Sequence, residues 1–236
     1  MLVLNHVQCK VSNLENTVNE FIKYGFDVEW GRKDKRGNAF IKFKFGPYIE
    51  LFELSRKYEY LGKICSMFSG KTLKEKWNFW IKCNHGWCDV GLKENVTDYN
   101  DSISIIQKKL MESDIKVSSI VRGSRTDPKG VKLKYRFFAV EKGGFPFVTD
   151  EYDPPQNMNT DEINHSNGIS EILEVTIGVS VDDWDKMSLL IHDDNRIKLI
   201  KKEKTKLDSI TFRGENDKEI LIGGVKVFFR GDENVL

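Results

Sequence analysis

No run of apolar residues in this chain approaches the roughly 20 needed to cross a bilayer as a helix. The N-terminus lacks a basic region followed by an apolar stretch and a small-residue cleavage site, so a cytoplasmic protein with no membrane association is expected. Cysteine is scarce as well. Cys9, Cys65, Cys83 and Cys88 are too few and too irregularly spaced for a disulfide framework, and they read as reduced thiols. Charge of one sign is also missing: 37 Lys and Arg stand against 36 Asp and Glu, which excludes a global field drawing nucleic acid or an anionic surface. What is present is 236 residues, 39% hydrophobic and 11% aromatic, enough for a sizeable core in one large domain or two small ones.

One stretch recurs. Leu4-Asn5-His6-Val7-Gln8-Cys9-Lys10-Val11-Ser12 aligns without a gap on Ile172-Leu173-Glu174-Val175-Thr176-Ile177-Gly178-Val179-Ser180, and Trp87-Cys88-Asp89-Val90-Gly91-Leu92 is a looser copy. Self-similarity of this kind points to repeated supersecondary units. After the first copy, Leu14, Val18, Phe21 and Ile22 share a helical face that stops at Gly25. Strands are expected over 26–31, 39–45 and 48–54, which makes a βαβββ unit of about residues 1–55.

A second unit, about 77–153, reads as a strand over 77–92, a helix over 98–113 and strands near 116–121, 131–140 and 145–149. Its helix is expected to be capped by Asp98 and to bury Ile103, Ile106, Leu110 and Met111. Residues 55–76 read as a packed connection with one or two short helices. Asp153-Pro154-Pro155 breaks regular structure after the second unit.

The third unit, 165–236, opens its first strand at Glu171. It continues with a helix over 182–191 capped by Asp182 and strands over 196–202, 209–213 and 219–229. Lys198, Lys201, Lys202, Lys204 and Lys206 read as the solvated face of an edge strand. The fold class expected is α+β, with mixed sheets of repeated βαβββ modules enclosing a cleft. Residues 1–155 form the cleft, and the third module either packs on their flank or pairs with its own copy in a homodimer.

The βαβββ order, the opening Asn5-His6-Val7 and the fourth strand Gly46-Pro47-Tyr48-Ile49-Glu50-Leu51-Phe52-Glu53 resemble the vicinal-oxygen-chelate superfamily, most closely its glyoxalase-like domain families. Further landmarks follow in order: the stretch from Gly123 to Arg136, Phe145-Pro146-Phe147, and His165-Ser166-Asn167-Gly168. The resemblance implies a glyoxalase/bleomycin-resistance-like fold that takes a small organic molecule in its cleft.

In metal-using relatives, a His on the first strand and a Glu on the fourth strand of each paired unit hold a divalent ion. Open positions are left there for the substrate's neighbouring oxygens. The resemblance therefore implies His6 and Glu50 as ligands of one Mn, Fe, Ni, Co or Zn ion. In the second unit Gly91 falls opposite His6, and Phe147, Val148 and Thr149 stand near the Glu50 position. A four-ligand site would need Asp89, Asp150 or Glu174 to substitute.

Glu50 and Glu174 are each flanked by apolar residues, and a buried carboxylate calls for a metal, an arginine or a proton; both are candidate catalytic groups. Arg125 and Arg136 are candidates to hold a substrate carboxylate or phosphate, or else to pair with Asp127 or Glu141. Asp127-Pro128-Lys129-Gly130 marks a hairpin turn. Two functions are carried forward. One is a metal-dependent lyase or isomerase, with dioxygenase chemistry less favoured. The other is a metal-free binding or sequestering protein of the bleomycin-resistance type, trapping an aromatic or amphipathic molecule on residues such as Trp80, Trp87 and Tyr135.

Overall fold

The first strand, β1 (Leu2–Lys10), changes parity part-way along. Its register against β5 (Gly86–Glu94) shifts between Leu4 and His6. Leu2 and Leu4 before the shift, and Val7 and Cys9 after it, therefore all enter one apolar core, while His6 and Gln8 turn to the other face. The computed structural model describes residues 2–35, 37–44, 46–54, 60, 70–95, 102–155, 163–191 and 194–231.

Asn13 begins α1 (Leu14–Lys23) by accepting the Asn16 N–H at 2.8 Å, and Gly25 ends it at φ +83°. Then come β2 (Glu29–Trp30), β3 (Asn38–Ile41) and β4 (Tyr48–Phe52). The second unit repeats the plan with β5, α3 (Ser102–Glu112), β6 (Val121–Thr126), β7 (Lys132–Phe138) and β8 (Phe147–Thr149). The two units form one eight-stranded sheet in the order β2-β3-β4-β1-β5-β8-β7-β6. In each half the opening strand lies parallel to its fourth strand, and β1 and β5 run antiparallel at the seam.

Several expectations shift in detail. Residues 77–82, expected as strand, belong to α2 (Gly70–Lys82), where Leu73, Lys76 and Trp80 share a buried face at helical spacing. Lys10 donates to the carbonyls of Trp80, Ile81 and Cys83, and so supplies a cation to the last turn of α2. In α3, Ile103 and Ile106 are buried while Met111 is exposed. The expected cap Asp98, and residues 55–59 and 61–69 of the expected 55–76 connection, lie outside the described residues. Of the expected strand 116–121, residues 116–120 make only a single bridge, Val117 to Val140, and Val121 already opens β6.

The third unit opens with β9 (Ile172–Val179) and a 3-10 turn, Val181–Asp183, leading into α4 (Trp184–Ile191). It is the buried Asp183, not the exposed Asp182, that accepts from Ser180 Oγ at 2.8 Å and from the Thr205 hydroxyl at the start of this segment. Four strands follow: β10 (Ile197–Lys201), β11 (Lys206–Arg213), β12 (Lys218–Ile222) and β13 (Val225–Arg230). The last expected strand is split by Gly223-Gly224, both at positive φ, into a tight hairpin. The sheet order is β10-β9-β11-β13-β12, so β9 pairs in parallel with the strand directly after its helix. That leaves the lysine-rich β10 on an edge.

This second sheet packs on the flank of the first. Val90 and Leu92 of β5 share a core with Ile210, Phe212 and Val227, and Trp87 donates its indole N–H to Lys226 O at 2.8 Å. Phe21, Phe43, Phe138, Phe145 and Phe212 are all fully buried in that core. Each contributes about 1.5–3 kcal/mol relative to an exposed ring. His165 ties the linker to the first unit: its Nδ1 accepts the Asp27 N–H at 2.9 Å, and Nε2 contacts Lys42 O at 2.8 Å. No helix among the described residues is long and apolar enough to cross a membrane.

Candidate functional site

The eight-stranded sheet curls around a cleft of about 900 Å³. The seam strands place His6 and Gln8 on its floor, β4 adds Tyr48 and Glu50, and β8 adds Phe147. His6 is 5% exposed, stacked on Tyr48 at 4.9 Å and met edge-on by Phe147 at 5.4 Å. Its Nε2 lies 3.6 Å from Glu50 Oε2. Burial pushes the imidazole below its ordinary value, with the Glu50 charge acting against that shift, so His6 is neutral near pH 7. Glu50 accepts Gln8 Nε2 at 3.0 Å and Asn38 Nδ2 at 2.8 Å.

The metal positions can be tested directly. His6 faces Gly91 across the seam, and Gly91 is the parallel partner of Phe147 just as His6 is the partner of Tyr48. Two residues along β4 from Tyr48 is Glu50; two along β8 from Phe147 is Thr149. The second pair is thus Gly91 and Thr149, and the Thr149 hydroxyl donates to Arg136 O at 3.0 Å. His6 lies over Gly91, with Cε1 2.5 Å from where a Cβ at position 91 would stand, so the ring fills the place a side chain at 91 would take. Among the described residues no group of three His, Cys, Asp or Glu side chains could hold an ion. The donor set does not fit the four-ligand site of metal-using relatives.

Asp89 does not supply the missing ligand. It is 3% exposed, paired with the fully buried Lys76 at 2.8 Å, and it accepts Trp80 Nε1 at 2.6 Å and the Val90 N–H at 2.8 Å. Lys76 also donates to Gly143 O at 3.0 Å and to Phe145 O. Glu174 is on the other sheet, accepting the Thr176 hydroxyl at 3.0 Å, and does not line the cleft. Trp87 faces the intersheet core, with its ring 6.3 Å from Phe212, rather than the cleft.

Arg125 and Tyr135 do line the cleft, whereas Arg136 lies outside its lining. Arg125 lies 4.8 Å from the rings of both Phe40 and Tyr152, donating to Gly31 O at 2.8 Å and to Tyr152 at 3.3 Å. Arg136 pairs with Asp150 at 2.5 Å, not with Asp127 or Glu141. Tyr135 lies over Gly123, where a side chain would meet its ring at 2.4 Å, and this accounts for glycine in mid-strand. The 127–130 turn forms as expected, Gly130 having φ +87° and donating to Asp127 O at 3.1 Å. Burial pushes the Tyr152 phenol up to about 12, so it stays a neutral donor.

Sequence reasoning overlooked Gln8, Asn38 and Tyr48. Gln8 could have been found two residues beyond His6, on the same strand face. Asn38 carried no such signal, because its contact with Glu50 depends on the β3–β4 pairing.

Paired βαβββ halves around a cleft, with a histidine at the seam and a glutamate on the fourth strand, define the vicinal-oxygen-chelate fold. A hypothetical protein from Staphylococcus aureus is similar at a TM-score of 0.71 and 15% identity, over 98% of this chain and 100% of that one. The Mn(II)-bound glyoxalase from Novosphingobium aromaticivorans gives 0.55 at 8% identity, over 96% and 80%. A catechol 2,3-dioxygenase gives 0.51 at 7%, over 97% and 87%. At these identities the likeness is one of fold. The family model for the glyoxalase-like domain matches residues 4–188, and the chain belongs to that family. The match runs from β1 through most of α4 and so includes the start of the third unit. Among curated proteins none matches.

Proposed function

We propose that this chain is a metal-independent small-molecule-binding protein whose cleft traps a planar, largely apolar molecule. The observation that carries the reading is the second ligand pair: Gly91 and Thr149 stand at the two positions, and the His6 ring fills the space a side chain at 91 would take. The rings of Phe40, Tyr48, Trp77, Trp80, Phe137 and Phe147 wall the same cavity, and such walls favour flat aromatic ligands. Lyase or isomerase chemistry through a divalent ion would have to rest on His6 and Glu50 alone, and Glu50 already accepts two amide donors.

The test is elemental analysis after purification without chelator, with Mn, Fe, Ni, Co and Zn offered in turn, alongside native mass spectrometry for a co-purifying organic molecule. The expected result is well under one ion per chain and a bound small molecule. One ion per chain, lost in both His6→Ala and Glu50→Ala, would overturn the reading and restore the metal enzyme.

A further inference from the structure

We infer that the floor of the cleft receives the cationic group of its aromatic ligand, an amidinium, guanidinium or ammonium seated against Glu50. The inference rests on the binding reading above and deepens it.

The cleft's carboxylates differ in what they face. Asp150 is paired with Arg136, and Glu151 with Lys93. Among the described residues Glu50, deep on the floor, meets the amides of Gln8 and Asn38 and the neutral imidazole of His6. Among the described residues no lysine or arginine nitrogen stands within ion-pair reach of it. Two amide donors leave lone pairs on the carboxylate and do not cancel its charge.

The atoms around it include a further acceptor. Gln8 donates an amide N–H to Glu50, which leaves Gln8 Oε1 buried with no partner among the described residues. His6 Nδ1 is a second buried polar atom without one. A buried acceptor such as Gln8 Oε1 without a donor carries a desolvation cost that a donor-bearing ligand removes. The surrounding faces of Tyr48, Phe40 and Phe147 suit a delocalised cation. Arg125, a cation on this wall, lies between Phe40 and Tyr152 with donors on Gly31 O and Tyr152, so its guanidinium forms part of the wall. In metal-using relatives a positive ion sits beside the His and Glu; here the ligand's own positive group takes that place.

Three probes of one shape separate the alternatives: 2-naphthamidine, 2-naphthoate and 2-naphthalenemethanol, titrated by calorimetry into the parent protein and into Glu50→Gln. The amidine is expected to bind at least about tenfold more tightly than the naphthoate, with the alcohol between them. Glu50→Gln should remove that advantage and leave the alcohol within about twofold of the parent. If the naphthoate or the alcohol binds the parent as well as the amidine does, the charge inference falls and the binding reading stands. If none of the three binds, both fall. The ranking in the parent needs no variant, so a poorly folding Glu50→Gln would not rescue the inference.

Discussion

The imidazole of His6 lies across the Cα of Gly91: a methyl group at position 91 would stand 2.5 Å from Cε1 and 2.8 Å from Nδ1. The ring is held on its other sides by Tyr48 and Phe147, so it cannot withdraw cheaply. Gly91→Ala should therefore cost about 1–3 kcal/mol of stability through overpacking. Denaturant titration checks this, and an unchanged midpoint would mean that the ring is free to swing away.

Lys76 and Asp89 offer a second test. Neither is exposed, and each depends on the other for its charge balance. Asp89→Asn should cost about 3–5 kcal/mol by leaving a buried ammonium without its counter-charge. The double variant Lys76→Met with Asp89→Asn should recover much of that loss. A double-mutant cycle in urea reads the coupling, and simple additivity of the two changes would refute the pair's role.

Acid should weaken the fold through its buried histidines. Burial lowers the values of both His6 and His165 from the ordinary 6.5. Below 6.5 the unfolded chain takes up protons that the folded chain refuses, so stability is fully present above 6.5 and declines as pH falls toward the folded-state values. His165 protonation also breaks its acceptance of the Asp27 N–H. Denaturation midpoints measured from pH 7.5 down to about pH 5 should fall more steeply in the parent than in His165→Gln, and parallel curves would remove His165 from the account.

The thiols should differ in reactivity. Cys83 is half-buried, and a hydrogen bond from Cys88 lowers its value, whereas Cys9 and Cys88 are buried and pushed up. In a Cys65→Ser background, limited iodoacetamide at pH 7.5 should label Cys83 first, as read by peptide mass spectrometry. Equal labelling of Cys9 would contradict the burial.

The first two units were legible because their signals are local and repeated: a capped amphipathic helix at Asn13, a glycine stop at Gly25 and a turn at 127–130 each announce themselves. The opposition of His6 and Gly91 followed from aligning the repeats. Residues 77–82 misled because the aromatic residues Trp77, Phe79 and Trp80 read as strand, while their helical spacing becomes decisive only once the cleft floor is there to pack against. Trp87 and Glu174 were misplaced because which face of a strand meets which sheet is set by tertiary packing, and the register shift between Gln8 and Cys9 moves Trp87 to the core side. The Gly223-Gly224 hairpin carried a readable signal that the long apolar run around it masked.

The placement of β11 and β13 against β5 has a consequence for biosynthesis. Val90 and Leu92 emerge from the ribosome long before Phe212 and Val227, which cover them. At about 5–20 residues per second, that apolar seam waits on the order of ten seconds for its cover. During that interval the exposed seam is the part of the nascent chain most open to aggregation.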